Sequence, residues 1–152
     1  MTSAIPFHGV APFVLGMRRE QTEALAGKPD AFSNESFLDD VNQESWRYEA
    51  PGLVLDFTEE DGWRLATITV ESREVDINGV RLVGQAQEGL MAAAAAAGIH
   101  DLVLADDLEE NGVCYESDAC GLMVWVDNGV VVNFTLFPKY DEAGLHPLWP
   151  AS

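Results

Sequence analysis

The chain has 152 residues, 47% of them hydrophobic, and its 26 acidic and 8 basic residues give a net charge of −18. This hydrophobicity argues against an intrinsically disordered chain, so the length predicts one compact domain or two half-size units that share a core. The charge argues against nucleic acid and anionic membranes as partners, because no basic stripe could neutralise phosphates, and it favours a basic protein partner.

The first half of the chain predicts a short strand, a helix that stops at a Gly followed by a Pro, an acidic connector and three longer strands. The longer strands alternate between apolar and polar positions, which is the pattern of a half-buried strand. The connector carries Phe37, Leu38 and Val41 at helical spacing. The predicted elements are the strand 11–15, the helix 18–26, the connector 33–44 and the strands 45–49, 52–57 and 63–70.

The second half repeats this order of elements. Its last two strands flank an Asn-Gly pair, Asn128 and Gly129, which is a strong signal for a tight hairpin. The predicted elements are the strand 80–83, the helix 90–97, the acidic connector 105–111 and the strands 113–116, 121–126 and 130–137.

Several positions match between the halves, and the length differences between the halves fall in the expected loops. Self-similarity at this period predicts a duplicated supersecondary unit rather than a solenoid, which needs at least three copies. The matched pairs are Gly16 and Gly84, Glu20 and Glu88, Tyr48 and Tyr115, Gly52 and Gly121, and Thr69 and Thr135.

These features predict an α+β fold in which two tandem helix-plus-antiparallel-sheet repeats form one curved sheet with helices on one face. The predicted units are a first repeat at residues 1–76, a second repeat at 77–137 and a C-terminal tail at 138–152 that packs on the core. In the tail, four residues are expected to cover a sheet edge or an opening of the core: Leu145, Pro147, Leu148 and Trp149.

The sequence contains no motif that predicts catalysis, so we expect a protein that is not an enzyme and has no cofactor. There is no Gly-rich phosphate loop, the histidines are isolated from one another, and the serines lack a nucleophile-elbow motif. Cys114 and Cys120 have too few further ligands nearby to predict a zinc site. With so many carboxylates, a close acidic pair would carry little information about chemistry.

The acidic loops and the aromatic residues beside them are the candidate partner-binding residues. Both connectors occupy the same place in the two halves, and loops on a rigid scaffold are common binding elements. Solvated polar loops, acidity that serves solubility alone, and aromatics that pack in the core are the competing explanations. The candidates are Glu35, Asp39, Asp40 and Glu44, Glu59, Glu60 and Asp61, Asp106, Asp107, Glu109 and Glu110, with Trp46 and Trp63.

The N-terminus predicts a cytoplasmic protein, because no basic segment precedes an apolar one as in a signal peptide. The longest apolar stretch, residues 89–99, is too short to cross a bilayer. We expect a monomer or a weak dimer.

The opening of the chain resembles two families. Gly16 to Gln21, followed by a helix that ends at residues 26–29, is similar to the opening shared by small outer-membrane assembly lipoproteins and beta-lactamase inhibitory proteins. The inhibitory proteins are tandem repeats of a helix-and-sheet unit whose concave sheet grips an enzyme. The resemblance therefore implies a sheet fold and a binding role, without naming a target.

In its overall character the chain also resembles bacterial immunity proteins of type VI or contact-dependent systems. That resemblance implies neutralisation of a cognate, cytoplasm-acting toxin, such as a basic nuclease or an NAD-consuming enzyme, whose active site the acidic protein would occlude. The alternative is a small-molecule or peptide-binding module that uses the concave sheet face, which would need a sizeable apolar pocket. An enzyme without a recognisable motif is a third hypothesis.

Overall fold

Alternating apolar and polar residues place much of this chain in β-strands, as its computed structural model shows. The structure describes residues 2–36, 42–107 and 112–150. The strands are β1 (Ala4–Ile5), β2 (Gly9–Val10), β3 (Phe13–Val14), β4 (Ala31–Ser36), β5 (Asn42–Tyr48), β6 (Leu53–Thr58), β7 (Arg64–Val70), β8 (Val103–Asp107), β9 (Val113–Ser117), β10 (Leu122–Asp127), β11 (Val130–Leu136), β12 (Lys139–Tyr140) and β13 (Pro147–Leu148). The helices are α1 (Arg19–Ala26) and α2 (Gln87–Ala96), and a short 3-10 helix covers Glu59–Asp61.

Eight strands form one antiparallel sheet in the order β4-β5-β6-β7-β11-β10-β9-β8. At its centre β7 pairs with β11, where Thr69 lies opposite Thr135 and the two hydroxyl oxygens are 2.9 Å apart. Pairing extends outward from this central pair on both sides, so β4 and β8 are the edge strands. β1, β2 and β3 form a small second sheet, and β12 pairs with β13.

The β10–β11 hairpin shows how local sequence specifies a turn. Asn128 and Gly129 join the two strands with φ of +51° and +76°. Two successive positive φ values are typical of a type I′ turn, whose twist matches that of the flanking strands, and Asn and Gly adopt such values most easily. The hairpin predicted from the Asn-Gly pair is confirmed by the pairing of β10 with β11.

One face of the sheet supplies most of the hydrophobic core. In β6, Leu53, Leu55 and Phe57 are at most 1% exposed, whereas the residues between them are half-buried. The alternation of buried and more exposed residues recurs in β7, β10 and β11. The buried side chains form one cluster with Leu90 and Ala94 of α2 and with residues of β2 and β3. Removal of this apolar surface from water is the main term that stabilises the fold.

The predicted α+β fold class, with two helix-plus-sheet repeats and helices on one face, is wrong. The structure is mostly β, with 45% strand, 15% helix and one large eight-stranded antiparallel sheet. The physical reason is that the helices are short and bury few side chains. α1 has 8 residues and one buried side chain, Thr22, and α2 has 10 residues and buries Leu90 and Ala94. Most of the core therefore comes from the strands.

Parts of both acidic connectors are strands rather than loops. β4 pairs with β5 from Ala31 to Ser36, and β8 pairs with β9 from Val103 to Asp107. These two edge strands complete the sheet of eight. The helical spacing noted for Phe37, Leu38 and Val41 falls outside the described residues.

Two smaller expectations also differ from the structure. The short strand predicted at residues 80–83 is reduced to an isolated bridge between Ile77 and Val80. In the C-terminal tail Trp149 packs against the core, whereas Leu145 and Leu148 are 72% and 50% exposed. The boundaries predicted after residues 76 and 137 stay predictions.

Candidate protein-binding surface

The face of the eight-stranded sheet opposite the core is only half-buried, and we call it the open face. Strand alternation places the side chains that do not enter the core on this side of β5, β6, β7, β9, β10 and β11. The open face is formed by Gln43, Ser45, Arg47, Val54, Asp56, Thr67, Thr69, Glu116, Met123, Trp125, Asn133 and Thr135.

Asp56 is the centre of a hydrogen-bonded network on the open face. Its Oδ1 accepts hydrogen bonds from Ser45 Oγ and, at 3.3 Å, from Gln43 Nε2, both on β5. Its Oδ2 accepts from Thr67 Oγ1 on β7 at 2.9 Å. Donors on both neighbouring strands therefore hold this carboxylate, so its orientation is fixed before any partner binds.

Charged and apolar side chains lie beside this network. Arg47 forms an ion pair with Glu71, and both side chains are roughly two-fifths exposed, at 42% and 36%. An exposed pair of this kind contributes about 1 kcal/mol or less to stability. Farther across the sheet, Met123 and Trp125 of β10 are half-buried. Arginine, methionine and aromatic residues are enriched in protein interfaces, so the composition of the open face suits protein binding.

Two polar groups on the part of the open face formed by β9, β10 and β11 are partly shielded from water. The Oδ1 atom of Asn133 is buried and has no hydrogen-bond donor among the described residues. Burial, and next the carboxylate of Asp118, raise the pKa of Glu116 above its ordinary value. Both groups are acceptors, so a positively charged or N–H-bearing partner suits this part of the face better than an anion.

A second feature, the acidic end of the sheet, consists of the turn Glu59–Asp61 with Tyr140, Asp141 and Glu142. Thr58 Oγ1 donates to Asp61 Oδ2 at 2.7 Å, and Asn42 Nδ2 donates to Glu59. Burial, then the carboxylates of Asp61 and Glu60, raise the pKa of Tyr140. Within the described part of the chain none of these carboxylates forms an ion pair. The acidic end therefore carries uncompensated negative charge.

Three predicted binding residues, Glu44, Trp46 and Trp63, come together with Arg19 of α1. Arg19 Nη1 donates to Glu44 Oε2 at 2.6 Å, and Trp46 Nε1 donates to Glu44 Oε1 at 2.9 Å. The Arg19 guanidinium lies 4.5 Å from the centre of the Trp63 ring, and Trp46 is only 7% exposed. This cluster attaches α1 to the sheet, so Trp46 in particular packs within the protein.

The remaining predicted residues are divided between the two ends of the sheet. Glu59, Glu60 and Asp61 lie at the acidic end, and the backbone of Glu35 lies at the same end in β4, opposite Gln43. Asp106 and Asp107 lie in β8 at the opposite end, next to the start of β9. Because β7 and β11 are antiparallel, roughly ten residues of strand, about 33 Å, separate the two ends. Asp39, Asp40, Glu109 and Glu110 fall outside the described residues.

The described residues form neither a metal site nor a membrane-spanning helix. Over the described ranges, no three His, Cys, Asp or Glu side chains cluster in a way that could hold a metal ion. Neither helix is long and apolar enough to cross a membrane in the part of the chain that the structure describes. Cys114 is buried, with its thiol 3.7 Å from the carbonyl oxygen of Tyr115, and Cys120 is half-buried.

The acidic clusters of the sequence do not indicate the open face, because the residues of that face are mixed in type. Ser45, Asp56, Thr67 and Thr135 lie on four different strands, and only the strand register brings them together. The available signal was the period-two alternation, which places Arg47 on the face opposite Trp46 and Tyr48. In every strand, this alternation indicates which residues lie on the open face. It does not indicate which residues of the neighbouring strands lie beside them.

Comparisons with protein-family models, with curated proteins and with solved structures find no match to this chain.

Proposed function

We propose that this chain is an acidic, cytoplasmic immunity protein that binds a cognate basic toxin and occludes the toxin's active site. The observation that carries the proposal is the open face of the sheet, where fixed polar groups and the half-buried ring of Trp125 form one extended surface. The opposite face already supplies the core, so the open face is available to a partner without unfolding any part of the sheet.

The size of the open face supports a protein partner rather than a small ligand. The six strands that form the open face, spaced about 4.8 Å apart and about 20 Å long, give a surface of roughly 600 Å². A stable protein interface buries about 800 Å² on each partner. A toxin that covered the open face and part of a neighbouring loop would therefore reach that value.

The charge of the chain supports a basic partner. A net charge of −18 produces a negative field that attracts a cationic protein, raises its association rate and repels acidic competitors. Toxins that act on nucleic acid need a positive surface for phosphate, and an acidic protein can cover that surface. The acidic end lies beside the open face at the β6–β7 turn, so charge and contact surface adjoin.

The first experiment is affinity purification of the tagged protein from its native cells, followed by mass spectrometry. Proteins are eluted at about 0.1 M and then about 1 M NaCl, across which the Debye length falls from about 10 Å to about 3 Å. We expect one basic protein to elute at the higher salt. The purified pair should then form a complex in which the partner's enzymatic activity is inhibited and cells that express it survive.

A charge-insertion pair tests whether the open face makes the contact. Thr135→Arg places a cation at the centre of the open face and should weaken the complex by at least about tenfold, because it opposes a basic surface. Ala92→Arg adds the same charge to an exposed position of α2 and should leave affinity unchanged. The proposal would be refuted if the purification yielded no basic partner. It would also be refuted if the partner kept its enzymatic activity in the complex.

A cleft of about 900 Å³ favours a second function, a small-molecule or peptide-binding module. It opens on the core side of the sheet, and Phe13, Tyr48, Lys28 and Arg81 are among its lining residues. Its volume lies within the roughly 300–1,000 Å³ typical of ligand sites. Thermal-shift screening of a metabolite panel tests this function: a ligand that stabilises the wild type should fail to stabilise Arg81→Ala but should still stabilise Arg73→Ala.

A further inference from the structure

The C-terminal hairpin, residues 139–148, is held firmly at its base. It consists of β12, β13 and the turn between them. On one side of the hairpin Pro138 is buried, and on the other the Trp149 ring lies against Gly16, so close that a β-carbon at Gly16 would be 2.8 Å from the ring. Because both flanking residues are packed, the hairpin projects from a fixed base.

Hydrogen bonds also fix the turn of the hairpin. The Asp141 backbone N–H donates to the His146 carbonyl at 2.9 Å, and the Gly144 N–H donates to the Asp141 carbonyl at 2.9 Å. The Leu145 N–H donates to Asp141 Oδ1 at 3.0 Å. These bonds fix the backbone of the turn that carries Leu145, so little backbone entropy remains to be lost when a partner binds there.

The hairpin exposes apolar side chains that the rest of the fold does not cover. Leu145 is 72% exposed, Leu148 is 50% exposed and Tyr140 is 45% exposed. Leu145 has the highest exposure of any large apolar residue in the described part of the chain. An exposed apolar group gains free energy when a partner buries it, and a cluster of such groups is a typical feature of interaction sites.

The surroundings of these side chains are acidic. Glu142 is exposed next to Asp141 in the turn, and the raised pKa of Tyr140 reflects its burial and then the nearby carboxylates of Asp61 and Glu60. Charges of one sign repel a second copy of this chain and attract a cationic partner. Apolar groups surrounded by carboxylates therefore suit a basic surface that contains an apolar pocket.

We propose that the C-terminal hairpin is a docking element that inserts Leu145 into an apolar pocket of a basic polypeptide, with Glu60, Asp61 and Glu142 pairing with cations around that pocket. This inference rests on the proposed function and deepens it, because it names a contact surface outside the open face. Leu148 and Tyr140 provide further apolar contacts beside Leu145.

The test uses a random twelve-residue peptide library displayed on phage and selected against the wild-type protein. We expect enriched peptides to carry several Lys or Arg residues next to a large apolar residue. Synthetic versions should bind about tenfold more weakly to Leu145→Ser, the loss expected when an apolar anchor is truncated. Binding to Met91→Ser, which changes a 53% exposed residue of α2, should equal that of the wild type.

Several outcomes would overturn the docking element. These are selected peptides without basic residues, failure to enrich any peptide, or equal binding to Leu145→Ser and wild type. A wild-type dimer that Leu145→Ser abolishes in analytical ultracentrifugation would assign the hairpin to self-association instead. Because Leu145 is exposed, Leu145→Ser should unfold at the same urea concentration as the wild type, which confirms that the variant folds.

The same variant separates the failure of this inference from the failure of the proposed function. If wild type and Leu145→Ser capture the same basic partner from native cells with equal affinity, the docking element is wrong and the proposed function stands. If the wild type captures no basic partner, the proposed function is wrong whatever the peptides show.

Discussion

The side-chain oxygen Oδ1 of Asn133 in β11 is a buried hydrogen-bond acceptor that receives no hydrogen bond from the described residues. An unpaired buried acceptor costs about 1–3 kcal/mol, and valine favours a strand more than asparagine does. We therefore expect Asn133→Val to raise the free energy of unfolding by about 1 kcal/mol in urea titrations. Thr135→Val, on the same strand, removes a hydroxyl that is paired with Thr69 and should lower stability by a similar amount. A loss of stability in Asn133→Val would show that Oδ1 has a partner such as water.

Gly16 combines a left-handed backbone with a close neighbour. Its φ is +91°, and a β-carbon there would lie 2.8 Å from the Trp149 ring. Gly16→Ala should therefore lower the free energy of unfolding by about 1–2 kcal/mol because of the backbone conformation. The displacement of the Trp149 ring should lower it further. Gly144→Ala is the matched control, because its φ is +70° but the space beside it is open. If both variants had the same melting temperature, Trp149 would not constrain Gly16.

Some residues adopt their conformation through local preferences, whereas the burial of others depends on contacts that are distant in sequence. Asn128 and Gly129 specify their turn through their own backbone preferences, so the hairpin could be predicted. Trp46 looked equally suited to a binding surface or to the core, and the choice depends on Phe57 and Glu44, which the fold brings beside it. Composition does not contain that information.

At the scale of elements, α1 is attached to the sheet through Arg19. Its guanidinium contacts both Glu44 and the Trp63 ring, and the Glu44 side chain is only 13% exposed. Arg19→Ala should therefore lower the free energy of unfolding by about 1–2 kcal/mol. A double-mutant cycle with Glu44→Gln should give a coupling energy of about 0.5–1 kcal/mol in urea titrations. Additive effects would mean that the ion pair does not stabilise the attachment of α1.

Asp101, in the segment before β8, forms hydrogen bonds with residues at the end of β9 and just after it. Its carboxylate accepts hydrogen bonds from Ser117 Oγ and, at 3.0 Å, from the Ala119 N–H, and these bonds hold the pKa of Asp101 below its ordinary value of 3.8. A lowered folded-state pKa means that this stabilisation is complete above the ordinary value and is lost as the pH falls through the folded pKa.

Asp101→Asn should therefore melt at a lower temperature than the wild type near neutral pH, and the difference should shrink as the pH falls below the ordinary carboxylate range. Thermal melts at a series of pH values measure this directly. Asp127→Asn removes the same charge at the exposed end of β10 and is the matched control, which should melt close to the wild type near neutral pH. A difference for Asp101→Asn that stays constant with pH would assign the effect to packing rather than to charge.

The central strands could be predicted from the sequence, whereas the edge strands could not. β6 and β10 are short, largely apolar runs bounded by turn residues, and the sequence shows such runs directly. β4 carries four polar residues among six, and β8 ends in two aspartates, so parts of both strands resemble acidic loops. The error in fold class followed from this, because strands were assigned to connectors and the short helices were given more weight than their burial supports.

At the scale of the whole molecule, negative charge is spread over both ends of the sheet and is little compensated. Within the described residues only Glu44 and Glu71 have ion-pair partners. The register places the turn of β6 and β7 at one end and the turn of β10 and β11 at the other. If a partner contacted only one end of the sheet, the charge at the other end would act on it at long range. That charge would raise the association rate rather than strengthen the contact itself.

Self-repulsion should make the stability of this protein depend on salt. With a net charge of −18, folding brings carboxylates closer together, and screening reduces the resulting cost. We expect the melting temperature to rise as NaCl increases from about 0.01 M to about 1 M, where the Debye length falls from about 30 Å to about 3 Å. The triple variant Glu59→Gln, Glu60→Gln and Glu142→Gln, which removes charge from the acidic end, should melt higher at low salt and depend less on salt. Two outcomes would contradict this prediction: a wild-type melting temperature that stays constant with salt, or a triple variant whose melting temperature depends on salt as strongly as that of the wild type. Either would mean that the charge of the acidic end does not oppose folding. That charge could then attract a partner without a cost in stability.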